Sequence, residues 1–136
     1  MRLFLSIKYY PDMRNRELIE SISGALEQAR HEVVCVVRDL EKWGEISFTP
    51  AELMAETFNT IEECDAVIIE LSSKGVGLGI EAGYAHARGI PVITIAEEGS
   101  DISATLQGIS AEVELYSSVE EIPALLSDLA PLESGF

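Results

Sequence analysis

The chain has 136 residues, 47% of them hydrophobic, and a formal net charge of −15. So acidic a surface repels nucleic-acid polymers and anionic membranes, and we expect neither as a partner, whereas a small nucleotide held by local donors is compatible with it. No apolar run reaches the roughly 18 residues that span a bilayer, and no signal peptide is evident, so we expect one cytoplasmic domain covering 1–136. Cys35 and Cys64 lack metal-ligand spacing, which predicts buried thiols and neither metal nor cofactor.

Strands and helices alternate through the first half of the sequence. The pattern predicts a strand over 2–7, a helix over about 15–30, a strand over 31–37 and a helix over about 50–63. A long connection over 38–49 joins the last two, and such connections are often functional beside a ligand site. Thr49 is predicted to cap the helix that follows, with Pro50 in its first position and Glu52 in its third.

The second half continues this alternation. It predicts a strand over 65–71, a helix over about 79–88, a strand over 91–96, a helix over about 102–108, a strand over 113–116 and a helix from 119 to about 129. The strand over 65–71 is almost continuously apolar, as is typical of parallel strands that are buried on both faces. The sequence therefore predicts an α/β fold, a five-stranded parallel sheet flanked by helices in a three-layer sandwich of the flavodoxin or Rossmann kind.

The most unusual stretch joins the third predicted strand to its helix. Gly75, Gly77 and Gly79 alternate with apolar residues, and Glu81 follows at the predicted helix entrance. Glycine permits positive φ and close approach to the backbone, while a helix N-terminus carries partial positive charge that favours an ionised carboxylate. The spacing differs from the dinucleotide fingerprint, and the P-loop lysine and hydroxyl are missing. Alone, the pattern indicates either a small-anion site or a tight turn.

A longer match, to the sequence motif of a known family, indicates a chemical role for this stretch. Residues 65–71 (DAVIIEL) and 75–93 (GVGLGIEAGYAHARGIPVI) resemble the core motif of the nucleoside 2-deoxyribosyltransferase family, which includes the 2′-deoxynucleoside 5′-phosphate N-hydrolases. Residues 102–108 (ISATLQG) resemble a segment of the hydrolase branch, and 6–8 (SIK) resemble its opening strand. The resemblance implies chemistry at the N-glycosidic bond of a nucleoside or nucleotide.

The resemblance also implies roles for single residues. The family's nucleophilic glutamate falls on Glu81, whose carboxylate would attack the anomeric carbon and form a covalent glycosyl-enzyme. Ser103 matches a serine that reaches the 5′-phosphate from the neighbouring subunit, which implies a homodimer. Without the resemblance, Glu81 would be an acidic residue of a first helical turn and Ser103 a helix N-cap.

Further candidates lie at the same end of the predicted sheet. Tyr9 follows the first strand, where the family places groups around base and sugar, and its ring could stack on a base or lie on the surface. Lys8 is a possible neighbour of phosphate or base, and Ser72 could donate to a phosphate or simply end the strand. The resulting substrate-binding set is Ser6, Lys8, Tyr9, Ser72, Gly75, Gly77, Gly79 and Ser103.

One departure from the family pattern bears on catalysis. The family pairs its glutamate with an aspartate that helps to protonate the departing base, and Thr57 occupies the aligned position. Threonine is no general acid near neutral pH, and loss of such an acid costs on the order of 10²–10⁴-fold in rate. Glu56 is adjacent but about 100° away around a helix. A slow enzyme, one with a repositioned acid such as Glu56, and a relative without turnover all remain open.

The sequence thus favours a hydrolase that cleaves the N-glycosidic bond of (deoxy)nucleoside 5′-monophosphates through Glu81. The chain is short and carries the segment around Ser103, and both features favour hydrolysis over transfer. The alternatives are a nucleoside deoxyribosyltransferase and a non-catalytic nucleotide-binding relative.

Overall fold

The computed structural model describes residues 1–126. The strands are β1 (Arg2–Ile7), β2 (Glu32–Val34), β3 (Ala66–Glu70), β4 (Val92–Glu97) and β5 (Glu112–Tyr116). The α-helices are α1 (Arg16–Gln28), α2 (Pro50–Glu62), α3 (Val76–Ala87), α4 (Ala104–Ile109) and α5 (Ile122–Leu126). Residues 1–126 also contain a π-helix (Val36–Leu40) and two 3₁₀ turns (Lys42–Gly44 and Val119–Glu121). The predicted last helix continues to residue 129, and its end lies outside the described residues.

The five strands form one parallel sheet in the order β2-β1-β3-β4-β5. This confirms the predicted α/β sandwich and gives it the flavodoxin-type strand order. β1 pairs with β3 from Leu3 opposite Ala66 to Ile7 opposite Glu70. Such sheets bind ligands beyond the carboxyl ends of the strands, where the strand order reverses, and here that point lies beside β1.

Alternating strand side chains divide the core into two layers. Leu3 and Leu5 of β1 pack in the layer that holds α1 and α5, and Phe4 packs in the layer that holds α2, α3 and α4. We call these the α1 side and the α3 side of the sheet. Because side chains alternate along a strand, Ser6 continues on the α3 side and Glu70 lies on the α1 side.

The start of α2 confirms the predicted capping box. The Thr49 hydroxyl accepts from the backbone N–H of Glu52 at 3.2 Å, and the Glu52 carboxylate accepts from the backbone N–H of Thr49 at 2.9 Å. Pro50 occupies the first helical position, where its missing N–H has no cost. This local chemistry fixes the helix at the residue that the sequence indicated.

The second strand is shorter than predicted, because the chain leaves the sheet after Val34 and enters the π-helix. The side chain of Asp39 accepts from the backbone N–H of Cys35 at 2.8 Å, and the backbone N–H of Asp39 donates to the Cys35 carbonyl at 2.7 Å. These bonds replace the ladder bonds that a longer strand would make. The prediction of a strand to residue 37 was therefore wrong beyond Val34.

Helix α3 begins three residues earlier than predicted, so Gly77 and Gly79 lie inside it. Buried Leu78 and Ala82 place an apolar stripe on the first turns, and this stripe extends the helix toward its N-terminus. Glu81 consequently lies in the second turn and not at the helix entrance. The prediction that the helix entrance keeps this carboxylate ionised was wrong in its geometry.

Candidate active site

A cavity of about 530 Å³ opens at the carboxyl ends of β1 and β2, on the α3 side of the sheet. Pockets of roughly 300–1,000 Å³ hold drug-sized ligands, so a nucleotide is of suitable size. The end of β1, the segment after β2, α2 and the start of α3 form its wall. Six of the nine predicted site residues lie in that wall: Ser6, Lys8, Tyr9, Gly75, Gly77 and Glu81.

Glu81 reaches this cavity from the second turn of α3. The hydroxyl of Ser6, itself only 2% exposed, donates to Oε1 of Glu81. Glu81 accepts no other hydrogen bond from residues 1–126, so one carboxyl oxygen is oriented and the other is left without a partner. Burial raises the pKa of Glu81 to about 7, and the Ser6 hydrogen bond acts in the opposite direction. Near neutral pH the carboxyl is therefore divided between its two protonation states.

The glycines of the wall leave space and supply no unusual backbone angle. Gly75 is extended, with φ −161°, and a Cβ there would lie 3.6 Å from Cγ of Lys8. A Cβ on Gly77 would meet nothing within 4 Å. Glycine inside a helix costs about 1 kcal/mol relative to alanine, and no packing contact requires it at Gly77. Open space beside the cavity is the feature that this glycine provides.

The first turn of α3 has no side-chain cap. Gly75 occupies the N-cap position and its turn has no capping hydrogen bond, in contrast to the capping box of α2. Unpaired N–H groups at the start of a helix attract anions. Lys8 lines the same cavity and adds a cation to this part of the wall.

Thr57 lines the cavity, and no residue that α2 contributes to the cavity wall carries a carboxyl group. The residue is 1% exposed, and its hydroxyl donates to the Leu53 carbonyl at 2.7 Å. Glu56 is exposed and does not contribute to the wall, so the repositioned acid suggested from the sequence is not placed beside Glu81. The helix therefore brings no carboxyl group into the cavity.

Glu41 lines the cavity but was not among the predicted site residues. It follows the π-helix, is half-buried, and burial raises the pKa of its carboxyl above the usual range. The sequence signal for it was the long connection over 38–49, which carries no motif and therefore does not single out one residue.

Three predicted site residues lie outside this cavity. The Ser72 hydroxyl donates to Glu70 at 2.6 Å and accepts from the backbone N–H of Glu97 at 2.9 Å, so its bonds tie strand ends together. Gly79 is exposed on α3. Ser103 stands at the N-cap of α4, without a capping bond, and its hydroxyl is 2.7 Å from that of Thr105.

A smaller cavity of about 160 Å³ lies on the α1 side, lined among others by Lys8, Glu70 and Ser72. Glu70 is 2% exposed and accepts from the backbone N–H of Ser72 at 2.9 Å and from Tyr116 Oη at 2.5 Å, besides the Ser72 hydroxyl. Burial, and then the hydrogen bond to Glu70, raise the pKa of Tyr116. Every bond of this carboxylate is internal, which marks it as structural.

Within residues 1–126, no group of three or more His, Cys, Asp or Glu side chains is arranged to hold a metal ion. No helix in the described part of the chain is long and apolar enough to cross a membrane.

Comparisons with known proteins show what the whole chain is similar to. No family model matches the sequence. A protein of Thermofilum pendens that is named for 2′-deoxynucleoside 5′-phosphate N-hydrolase activity by assignment is 29% identical over 141 residues, covering 96% of each chain. A protein of the same name from Syntrophotalea carbinolica is 31% identical over 81 residues, covering 57% of each chain.

Solved structures agree with these relatives. The CMP N-glycosidase of Clostridium botulinum superposes with a TM-score of 0.64 and 25% identity, covering 95% of this chain and 99% of that one. A 2-deoxyribosyltransferase of Bacillus psychrosaccharolyticus gives a TM-score of 0.70 over 90% of each chain at 11% identity, which shows a shared fold. The chain is thus similar in sequence to proteins named as N-hydrolases and to a CMP N-glycosidase, and it shares its fold with a 2-deoxyribosyltransferase, which supports a relationship to the nucleoside 2-deoxyribosyltransferase family.

Proposed function

We propose that this protein hydrolyses the N-glycosidic bond of (deoxy)nucleoside 5′-monophosphates, with Glu81 as the nucleophile. One observation carries the proposal: a carboxyl group, oriented by Ser6, lies in the wall of a cavity large enough for a nucleotide. The relatives named for N-glycosidic hydrolysis match the chain over nearly its whole length.

The chemistry is a double displacement. The Glu81 carboxylate attacks C1′ of the sugar, and the C1′–N bond breaks with its electron pair leaving on the base, which takes up a proton. Water then attacks C1′ of the glycosyl-enzyme, which frees Glu81 and releases the sugar 5-phosphate. The attacking form is the carboxylate, and burial raises the pKa of Glu81 to about 7, so kcat/KM is expected to fall as the pH drops below 7.

The uncapped first turn of α3 and Lys8 are the proposed phosphate site. Both lie in the cavity wall, and together they offer backbone N–H donors and one cation to a dianion. Tyr9 lies in the same wall with 53% of its surface exposed, and we assign its ring to the base or sugar. Gly75 and Gly77 keep the approach to the phosphate site open.

We further propose a homodimer built on an apolar strip of α3. Val76 and Ile80 are 83% and 46% exposed, and Gly79 and Gly83 complete the same helical face with open space above them. Exposed apolar surface of this kind is typical of protein interfaces. Ser103 lies outside the cavity of its own chain, and we assign it to the site of the neighbouring subunit.

Base release is the direct test of the hydrolase. The full chain is incubated with each common ribo- and deoxyribonucleoside 5′-monophosphate, and free base is followed by chromatography. We expect release by the wild type and by Glu56→Gln, whose side chain is exposed outside the cavity, and none by Glu81→Gln. Because nucleoside monophosphates are held inside cells, the proposal places the protein in the cytoplasm.

Two further arms of this assay separate the alternatives. A second free base is added, and formation of a new nucleotide would identify a transferase. Saturable nucleotide binding without release of any base would identify a non-catalytic relative. Light scattering tests the dimer: we expect twice the chain mass for the wild type and the chain mass for Ile80→Glu.

A further inference from the structure

We propose that Glu41 donates the proton that the departing base takes up. This inference rests on the proposed glycosidic function of the cavity. It assigns the proton transfer to the turn after the π-helix and not to α2, which contributes Thr57 to the wall.

Glu41 lies in the same cavity wall as Glu81. Within residues 1–126, Glu41 and Glu81 are the two carboxyl groups in the wall of the larger cavity. They reach it from separate elements, Glu81 from α3 and Glu41 from the turn before residue 42. Two carboxyl groups that flank one cavity from different elements suit a reaction in which one attacks the sugar and the other serves the leaving group.

The backbone around Glu41 is firmly held. Its N–H donates to the Val36 carbonyl at 2.9 Å, and its own carbonyl accepts from Gly44 at 3.0 Å and from Ile46 at 2.9 Å. The turn continues through Lys42 and Trp43, which both have left-handed backbone angles, with φ 50° and 56°. π-helices and left-handed non-glycine residues are both enriched at functional sites.

A stacking contact helps to maintain this strained turn. The guanidinium of Arg16 lies 4.3 Å from the centre of the Trp43 ring, which joins the turn to the start of α1. Trp43 also packs against the core on the α1 side. The carboxyl of Glu41 is therefore presented to the cavity from a backbone that is fixed on both sides.

The side chain of Glu41 has the properties that a proton donor needs. No group within residues 1–126 forms a hydrogen bond with its carboxyl, and burial raises its pKa, so it keeps its proton to a higher pH than an exposed glutamate. The other titratable groups of the wall are Lys8, Tyr9, Cys35 and Glu81. The buried Cys35 thiol, with a pKa of about 12, is too weak an acid to compete.

The proposed step balances. As the Glu81 oxygen bonds to C1′, the C1′–N pair moves onto the base nitrogen, and the Glu41 carboxyl proton reaches the base at this or a conjugated atom. The base leaves neutral and Glu41 becomes a carboxylate. In the second step Glu41 takes a proton from the attacking water, the C1′–O bond to Glu81 breaks, and both carboxyl groups return to their starting states.

The test compares substrates that differ in their need for a proton. A 7-methylguanine base carries a positive charge while attached to the sugar and leaves neutral without protonation. Glu41→Gln is expected to slow base release from unmodified nucleoside monophosphates by about 10²–10⁴-fold, and from 7-methyl-2′-deoxyguanosine 5′-monophosphate by less than about tenfold. Glu45→Gln, an exposed side chain outside the wall with the same charge change, should leave both rates unchanged.

The pH profile gives a second readout that needs only the unmodified substrate. Because the step needs Glu81 ionised and Glu41 protonated, wild-type kcat should give a bell-shaped pH profile, and the remaining activity of Glu41→Gln should lack the alkaline fall. Glu41→Asp, which keeps a carboxyl group, should recover part of the rate and the alkaline fall. Thermal melting of each variant checks that the fold is retained.

The outcomes separate this inference from the function on which it rests. If the wild type releases no base, or Glu81→Gln matches it, the proposed function fails. If base release depends on Glu81 but Glu41→Gln behaves like Glu45→Gln, the function stands and the role of Glu41 is overturned. Equal slowing of methylated and unmodified substrates, with the alkaline fall kept, would likewise overturn proton donation.

Discussion

Glu70 and Glu81 are two carboxyl groups at the same end of the sheet, on its α1 side and α3 side respectively. Glu70 is 2% exposed and accepts bonds from the backbone and hydroxyl of Ser72 and from Tyr116. Glu81 accepts one bond, from Ser6, and burial raises its pKa to about 7. Both side chains are withdrawn from water, but Glu70 accepts three hydrogen bonds in place of the water that it lost, whereas Glu81 accepts one.

The difference separates a carboxyl group that the fold satisfies with hydrogen bonds from the one that we propose as the nucleophile. Three internal donors occupy most of the acceptor positions of Glu70. The bonds of Ser72 to Glu70 and Glu97 also hold the chain where it leaves β3 toward α3. A buried carboxyl group with a single donor is less stable in its charged form, but one of its oxygens stays available to a ligand in the cavity. This arrangement is common at functional sites. Hydrogen bonds on the α1 side thus hold the chain between β3 and α3, and α3 carries Glu81 in the cavity wall on the α3 side.

The largest expected effect is the loss of base release in Glu81→Gln. Removal of a nucleophile is expected to lower kcat by on the order of 10⁴-fold or more, because Glu41, the other carboxyl group of the cavity wall within residues 1–126, is assigned to the leaving base. Initial rates of base release measure this, and thermal melting should show a melting temperature no lower than that of the wild type. Loss of both activity and the folded state would mean that Glu81, like Glu70, stabilises the fold. This result would contradict the proposed difference between the two carboxyl groups.

The second prediction concerns stability against pH. The raised pKa means that the unfolded chain loses the Glu81 proton before the folded chain does, so this group's contribution declines as the pH rises from about 4.5 to about 7. Relative to Glu81→Gln, the wild type should lose about 3 kcal/mol of unfolding free energy across that interval. Urea unfolding of both proteins at several pH values measures it. A constant difference would contradict a raised pKa.

The third prediction tests the single donor of Glu81. Ser6→Ala removes a hydrogen bond to a charged group, which is worth about 1.5–3 kcal/mol, so kcat/KM at pH 7 should fall by about 10–100-fold. The acidic limb of the pH profile should move to higher pH, since the Ser6 bond lowers the pKa of Glu81. A lower rate with an unmoved limb would show that Ser6 acts on the substrate and not through Glu81.

The smallest expected effect belongs to the α1 side. Tyr116→Phe removes one of the three bonds of Glu70, and we expect a loss of about 1 kcal/mol in unfolding free energy. Base release should change by no more than a few-fold, because two donors from Ser72 still hold the chain after β3. Denaturant unfolding and initial rates give both numbers. A large loss of activity at unchanged stability would place Glu70 in the chemistry.

What the sequence could predict was set by local signals. Alternating apolar segments were sufficient for the parallel sheet, and Thr49 with Glu52 located the start of α2, because a capping box is local chemistry. The same reasoning failed after Val34, where hydrogen bonds of Asp39 favour a π-helix over continued pairing. The start of α3 was misplaced because glycines suggested a loop, while buried Leu78 favours a helix.

The site was predictable only as far as its motif extends. Glu81, Ser6 and Lys8 lie within segments that resemble the family, and the structure brings them to one cavity. Glu41 lies in no recognisable motif, because the strained turn that positions it has no characteristic residue pattern. The internal bonds of Ser72 depend on Glu70 and on the neighbouring strand, and a sequence does not display them.

The most direct test of the central claim is to look for a sugar phosphate bound to Glu81. The protein is mixed with a cleavable nucleoside monophosphate, quenched in acid within one turnover, digested and analysed by mass spectrometry. We predict that the peptide containing Glu81 gains the mass of the sugar phosphate less one water, and that Glu81→Gln shows no such gain. Base release at the full rate by Glu81→Gln, with no adduct in either protein, would contradict it.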